Sequence, residues 1–158
     1  HLERALTIER AAYGPDDRRV GHTQHHVAMT LHLLGRDREA SVALGRALAI
    51  LTTADAPDHP ALAGIWQSLG MVELAAGRPE RAIDPLERAL AIHAGGATEP
   101  AQGAITSCML AQALWMSRRD RPRARRLVVA ARALLARIEG GAGWQDEIDA
   151  WLTVPVAR

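Results

Sequence analysis

Residues 20–35, VGHTQHHVAMTLHLLG, hold four histidines within eleven positions: His22, His25, His26 and His32. Imidazole is the side chain that both ligates metals and moves protons near neutral pH. A cluster this dense therefore raises metal binding, acid–base catalysis and pH-sensitive recognition together. Spacing separates them. On a helix His22 and His26 stand one turn apart and can share an ion, but His25 and His32 are two turns apart, about 10.5 Å, and cannot. No third and fourth ligand is supplied by a neighbouring segment, so no metal is assigned. Catalysis would need a nucleophile or carboxylate base held against an imidazole, and the sequence places none there. The expectation is no catalytic residue, no metal and no cofactor. A solvated helix face and the wall of a recognition surface remain.

The helical wheel favours a surface role. Val20, Val27, Ala28, Leu31 and Leu34 fall on one side of a helix over 20–34. His22, His25, Met29 and His32 fall nearly opposite, with His26 at the edge, so the histidine stripe does not face the core.

Composition limits the partners. The 158 residues carry a formal charge of +1, with no lysine, asparagine or phenylalanine. A near-neutral chain has no bulk attraction for nucleic acid or an anionic membrane. The single cysteine, Cys108, excludes an internal disulfide and a multi-cysteine zinc site. No apolar run reaches the ~18–20 residues of a membrane span, and no secretory signal is visible. A cytoplasmic location is expected. All basic residues being arginine reads as a codon-composition effect. RRDRPRARR (118–126) nevertheless packs six arginines into nine residues. Without a basic stripe or an aromatic platform elsewhere, it reads as a turn and the outer face of the following helix, rather than as a nucleic-acid site. The acidic residues of a later helix, 144–152, are its expected partners.

Self-similarity fixes the architecture. LERALTI begins at Leu2, LGRALAI at Leu44 and LERALAI at Leu86, each 42 residues after the last. GRDREASVALGRALAI (35–50) aligns without gaps on GRPERAIDPLERALAI (77–92), and Pro15 and Pro57 are also 42 apart. Within 79–93 the apolar residues Ala82, Ile83, Leu86, Ala89, Leu90 and Ile92 follow helical spacing. Pro79 suits a first turn and Gly77 the turn before it. Pro85 falls inside this helix, where a local bend is expected. WQDEIDAWL (144–152) reads as a short amphipathic helix with Trp144, Ile148, Trp151 and Leu152 on one stripe. The glycines of EGGAG (139–143) lack the Gly-Lys-Ser/Thr ending of a phosphate loop.

Trp66, Leu69–Gly70 and then Ala82, Leu86 and Ala89 resemble the tetratricopeptide pattern of large and small packing residues. Glu73 departs from that pattern, and Leu74 is expected to take over its packing. Unit one matches through Gln24, Val27, Ala28, Leu31, Ala40, Leu44 and Ala47. Unit three matches through Cys108, Ala111, Trp115, Ala124, Val128 and Ala131, in a register that sequence leaves open by one residue. A 42-residue period exceeds the usual ~34 and is similar to the kinesin-light-chain variant and to repeats of bacterial regulatory proteins. The resemblance implies an all-α, right-handed superhelical solenoid of antiparallel helix pairs. Its parts are a partial repeat (1–16, second helix only), repeats over 17–58, 59–100 and 101–139, and a capping helix with tail (140–158). The opening partial repeat implies a fragment of a longer chain.

In such arrays the first helix of each unit lines the concave surface. The corresponding positions are His22, His25, Met29 and His32 in the first unit. They are Gly64, Gln67, Met71 and Leu74 in the second, and Thr106, Met109, Ala113 and Met116 in the third. The implied function is a non-catalytic module that holds a peptide or partner protein, with methionines making the groove adaptable. Titration of the histidines would make ligand affinity depend on pH between 7.5 and 5.5. The alternative is the C-terminal regulatory region of a bacterial serine/threonine kinase, which ALW…RDRPRA (113–124) and EIDAWL also resemble, or of a transcriptional regulator. No kinase motif occurs in these residues.

Overall fold

The computed structural model describes residues 2–56, 58–96 and 98–137. The expected capping helix, with the rest of 138–158, lies outside the described residues. Among the described residues seven helices follow in order: α1 (Leu2–Tyr13), α2 (Arg18–Leu33), α3 (Asp37–Ala54), α4 (Pro60–Ala75), α5 (Pro79–Ala94), α6 (Pro100–Met116) and α7 (Arg121–Leu135). α2 with α3, α4 with α5, and α6 with α7 form antiparallel pairs, and each pair packs on the next through α3–α4 and α5–α6. α1 packs on α2. The chain is an all-α solenoid.

Local chemistry sets the boundaries. Asp17 accepts the Arg19 amide at 2.9 Å, His59 Nδ1 the Ala61 amide at 3.2 Å and Asp120 the Arg123 amide at 2.9 Å, each capping a helix start. Prolines occupy the first turns of α4 to α7, where an amide would be unpaired anyway. Each first helix ends in a paired turn, with Arg36 N–H on Leu31 C=O and Gly35 N–H on His32 C=O. Such a turn needs a left-handed residue, which Gly35 (φ 72°) and Gly77 (φ 71°) supply. In the third unit the same bonds run from Arg119 to Leu114 and from Arg118 to Trp115, and Arg118 takes the left-handed position at φ 57°.

That turn settles the open register. Gly77 lies 42 residues after Gly35, but Arg118 only 41 after Gly77. The buried residues Ala63, Ile65, Gly70, Val72 and Glu73 of α4 recur at 41 as Ala104, Thr106, Ala111, Ala113 and Leu114 of α6. One extra turn residue restores 42 for the second helices, so Ala82, Leu86 and Ala89 correspond to Ala124, Val128 and Ala131, all buried. α5 runs unbroken through Pro85, whose ring is buried where the preceding unit has Ala43.

Two apolar clusters form the core. One joins Leu44, Leu48, Leu51, Leu62, Ile65 and Val72, and the other Leu86, Leu110, Leu114, Val128 and Leu135. Small residues let the axes approach. A methyl group on Gly21 would come within 2.7 Å of Leu51 Cγ, and one on Gly70 would overlap Leu86.

Glu73 does not leave the core to Leu74 as expected. It is 2% exposed, accepts hydrogen bonds from Ser41 Oγ and Arg78 Nε at 2.5 Å each, and has Arg81 Nε at 3.7 Å. Leu74 packs beside the second cluster as well.

Candidate functional site

α2 touches α4 and α4 touches α6, whereas no comparable contact joins α3 to α5 or α5 to α7 among the described residues. The array is therefore closed along its first helices and splayed along its second ones, which places α2, α4 and α6 on the inner side. His22, His25 and Met29 on α2, with Gln67, Met71 and Leu74 on α4, are all half-buried there. Partial burial is what a shallow groove wall requires: a fully buried side chain cannot meet a ligand, and a fully exposed one has no preset position.

Polar ties fix neighbouring helices across this face. His25 Nε2 lies 3.1 Å from Ser68 Oγ, and Ser68 gives its only proton to the Gly64 carbonyl at 2.8 Å. With the Ser68 proton on that carbonyl, the Nε2–H tautomer of His25 donates to Ser68 Oγ. Thr106 Oγ1 faces Gln67 Oε1 at 3.1 Å and the Gln102 carbonyl at 2.8 Å. With one hydroxyl proton for two acceptors, the bond to the nearer carbonyl is the stronger. Gln67 with its amide turned over would donate to Thr106 instead.

Five expected groove positions, His32, Thr106, Met109, Ala113 and Met116, sit differently in the structure. His32 does not present a free ring: its Nδ1 donates to Asp37 Oδ1 at 2.5 Å, clasping the end of α2 to the start of α3. Thr106 and Ala113 are fully buried, because α6 is offset by 41 residues. The corrected third-unit positions are Ile105, Cys108, Gln112 and Trp115. Met109 then corresponds to Ser68 and packs beside the second core cluster, and Met116 corresponds to Ala75 and ends α6 half-exposed. Burial pushes the Cys108 thiol up to about 11, so it is a poor nucleophile at neutral pH. Among the described residues no three His, Cys, Asp or Glu side chains converge on a point that could hold a metal ion.

The arginine cluster is half absorbed by packing. Arg121 and Arg125 lie over the Trp115 ring, 4.9 and 5.9 Å from its centroid, and Arg123 pairs with Glu87 at 2.6 Å. The expected acidic partners at 144–152 lie outside the described residues. A tryptophan six residues upstream of an arginine is the available signal, visible once the helix end is set at Met116.

Burial, and then the charges of His26 and His22, hold His25 below the usual imidazole range. Burial does the same to His93. An unfolded chain takes up these protons first as pH falls, so the native state loses stability below about pH 6.5. His25→Gln is expected to show a smaller fall in Tm between pH 7.5 and 5.5 than the parent. Equal falls in a thermal melt series would remove His25 as a cause.

No family model and no curated protein matches the sequence. Solved structures do match. BtubC (BKLC) from P. vanneervenii superposes with a TM-score of 0.80 at 23% identity, over 88% of this chain and 56% of its own. The "putative kinesin light chain nearly identical TPR-like repeats" of Podosopora anserina superpose with a TM-score of 0.69 at 23% identity, over 86% of this chain and 64% of theirs. A point variant of those repeats gives 0.70 over the same shares. The chain thus spans little more than half of the first and under two thirds of the others. The fold is a TPR-like helix-pair array, with the 42-residue spacing carried by α2 to α5.

Proposed function

We propose that this TPR-like array is a holding module, whose inner face grips an extended or helical segment of a partner protein and converts no substrate. The observation that carries this reading is the half-buried strip His22, His25, Met29, Gln67, Met71 and Leu74, laid across two helices already tied together by the His25–Ser68 bond. Methionine at the same position of successive units, Met29 and Met71, offers flexible apolar contact. Imidazole and amide groups beside it pair with a segment's main chain. Among the described residues no helix is long and apolar enough to cross a membrane, and a cytoplasmic location fits this role.

A random peptide library selected on the immobilised protein supplies the ligand for the test. Titration of the best peptide is expected to weaken at least tenfold in His25→Glu/Met71→Glu. It should stay within twofold in Val42→Glu, which alters an exposed residue of α3. Equal affinities for all three proteins would contradict the reading.

A further inference from the structure

The equivalence of repeats exposes a second site on the opposite side. Between α5 and α7, over the start of α6, lies a cleft of about 370 Å³. At the preceding junction the matching positions hold Leu62, Trp66 and Arg88, with Leu62 fully buried and Arg88 lying 4.9 Å over the Trp66 ring. Here those positions are Gly103, Ser107 and Ala130, all of which line the cleft. Three large side chains are thus replaced by three small ones at one place. Trp66 and Arg88 themselves line a cleft of about 470 Å³ at the preceding junction. The replacement therefore changes the lining rather than the room, which here too exceeds the roughly 150 Å³ that holds a benzene ring.

A fourth replacement supplies a polar group. The fully buried Leu51 of the first full unit is matched by His93, which also lines the cleft. Its Nδ1 is engaged by Thr98 Oγ1 at 2.8 Å, while its Nε2 is buried and has no hydrogen-bond partner among the described residues. Leaving such an atom unpaired is costly. Burial favours the neutral ring, and the Thr98 hydroxyl can either donate to Nδ1 or accept from it. Nε2 can therefore present a lone pair or a proton. The remaining wall is apolar, from Leu90, Ala131 and Leu134, and Glu99 at the rim disfavours an anion.

We propose that the α5–α7 cleft binds a small neutral aromatic molecule with one hydrogen-bonding group, its ring against Gly103, Ser107 and Ala130 and its polar atom on His93 Nε2. The site is separate from the inner groove and does not depend on it.

Indole and toluene are the probes, titrated into the full chain while amide resonances and Tm are followed. Indole is expected to shift the amides of Gly103, Ser107 and Ala131, to raise Tm, and to bind about fivefold more tightly than toluene, the worth of one ordinary hydrogen bond. His93→Leu should erase that preference. Ser107→Trp, which restores the side chain of the preceding junction, should abolish indole binding and raise Tm on its own. Ala130→Arg changes an exposed position, so it stays testable if the tryptophan variant fails to fold, and it should weaken indole at least tenfold. The proposal is overturned by an absence of shifts at millimolar indole, as a cleft holding only water would give. Equal binding of the two probes by the parent protein, or undiminished indole binding in Ala130→Arg, overturns it too.

Discussion

Arg78→Ala is expected to destabilise the array by about 3–5 kcal/mol, because it strands a carboxylate inside the fold. Glu73 is 2% exposed, and its charge is met by Arg78 at 2.5 Å and by the Ser41 hydroxyl. Arg81, at 3.7 Å and two-thirds exposed, cannot replace a direct partner. The matching positions in the flanking units are Leu31 and Leu114, so this part of the fold accepts leucine. Glu73→Leu/Arg78→Ala is accordingly expected to recover the parent stability or exceed it, since a well-packed apolar group often equals a buried ion pair. Urea unfolding of the single and double variants decides the matter. A loss below about 1 kcal/mol for Arg78→Ala would show that water reaches Glu73.

The second large effect lies where α4 meets α5. Leu86 is fully buried and sits so close to Gly70 that a β-carbon there would overlap it. Leu86→Ala is expected to cost about 2–5 kcal/mol, the lost transfer free energy plus the cavity left behind. Gly70→Ala forces Leu86 aside at a cost of about 1–3 kcal/mol, reduced by roughly 1 kcal/mol through alanine's better helix propensity. Making both changes should cost less than the sum, because the shortened residue 86 clears the space that the new methyl group at position 70 needs. Additive losses would mean that the two positions are not in contact.

The recurring sequence blocks place α3 and α5 in one register because side chains 42 apart do the same packing work in each: Ala40 and Ala82, Leu44 and Leu86, Ala47 and Ala89. The glycine turns are legible for an equally local reason, since Gly35 and Gly77 each combine a left-handed backbone with a helix end. The third unit defeats both signals. Arg118 stands in the left-handed position that glycine marks elsewhere, and a connection into α6 that is one residue shorter moves α6 by one. Because α6 carries apolar and small residues nearly all round, its sequence does not say which face is inside. One residue of offset is enough to exchange Thr106 and Ala113 for Ile105 and Gln112 on the inner face.

None of the stripe's histidines is fully buried, but helical spacing alone carries no information on contacts between elements. It cannot show that His32 turns to Asp37 while His25 reaches Ser68 on the next unit. Glu73 is hidden for the same reason. Its burial depends on Ser41, 32 positions earlier, and a pattern of apolar spacing can only register it as an exception. Arg121, Arg123 and Arg125 of 118–126 are likewise explained by Trp115 and Glu87 on other elements, which composition does not reveal.

Of the four methionines, Met29 and Met71 lie on the inner strip, Met109 packs beside the core and Met116 ends α6 outside the corrected register. Labelling their methyl groups with carbon-13 and titrating the library-selected peptide reads all four at once. The account predicts that the Met29 and Met71 signals move together and saturate with the binding isotherm while Met116 stays in place. A peptide that binds and leaves Met29 and Met71 unmoved would contradict it.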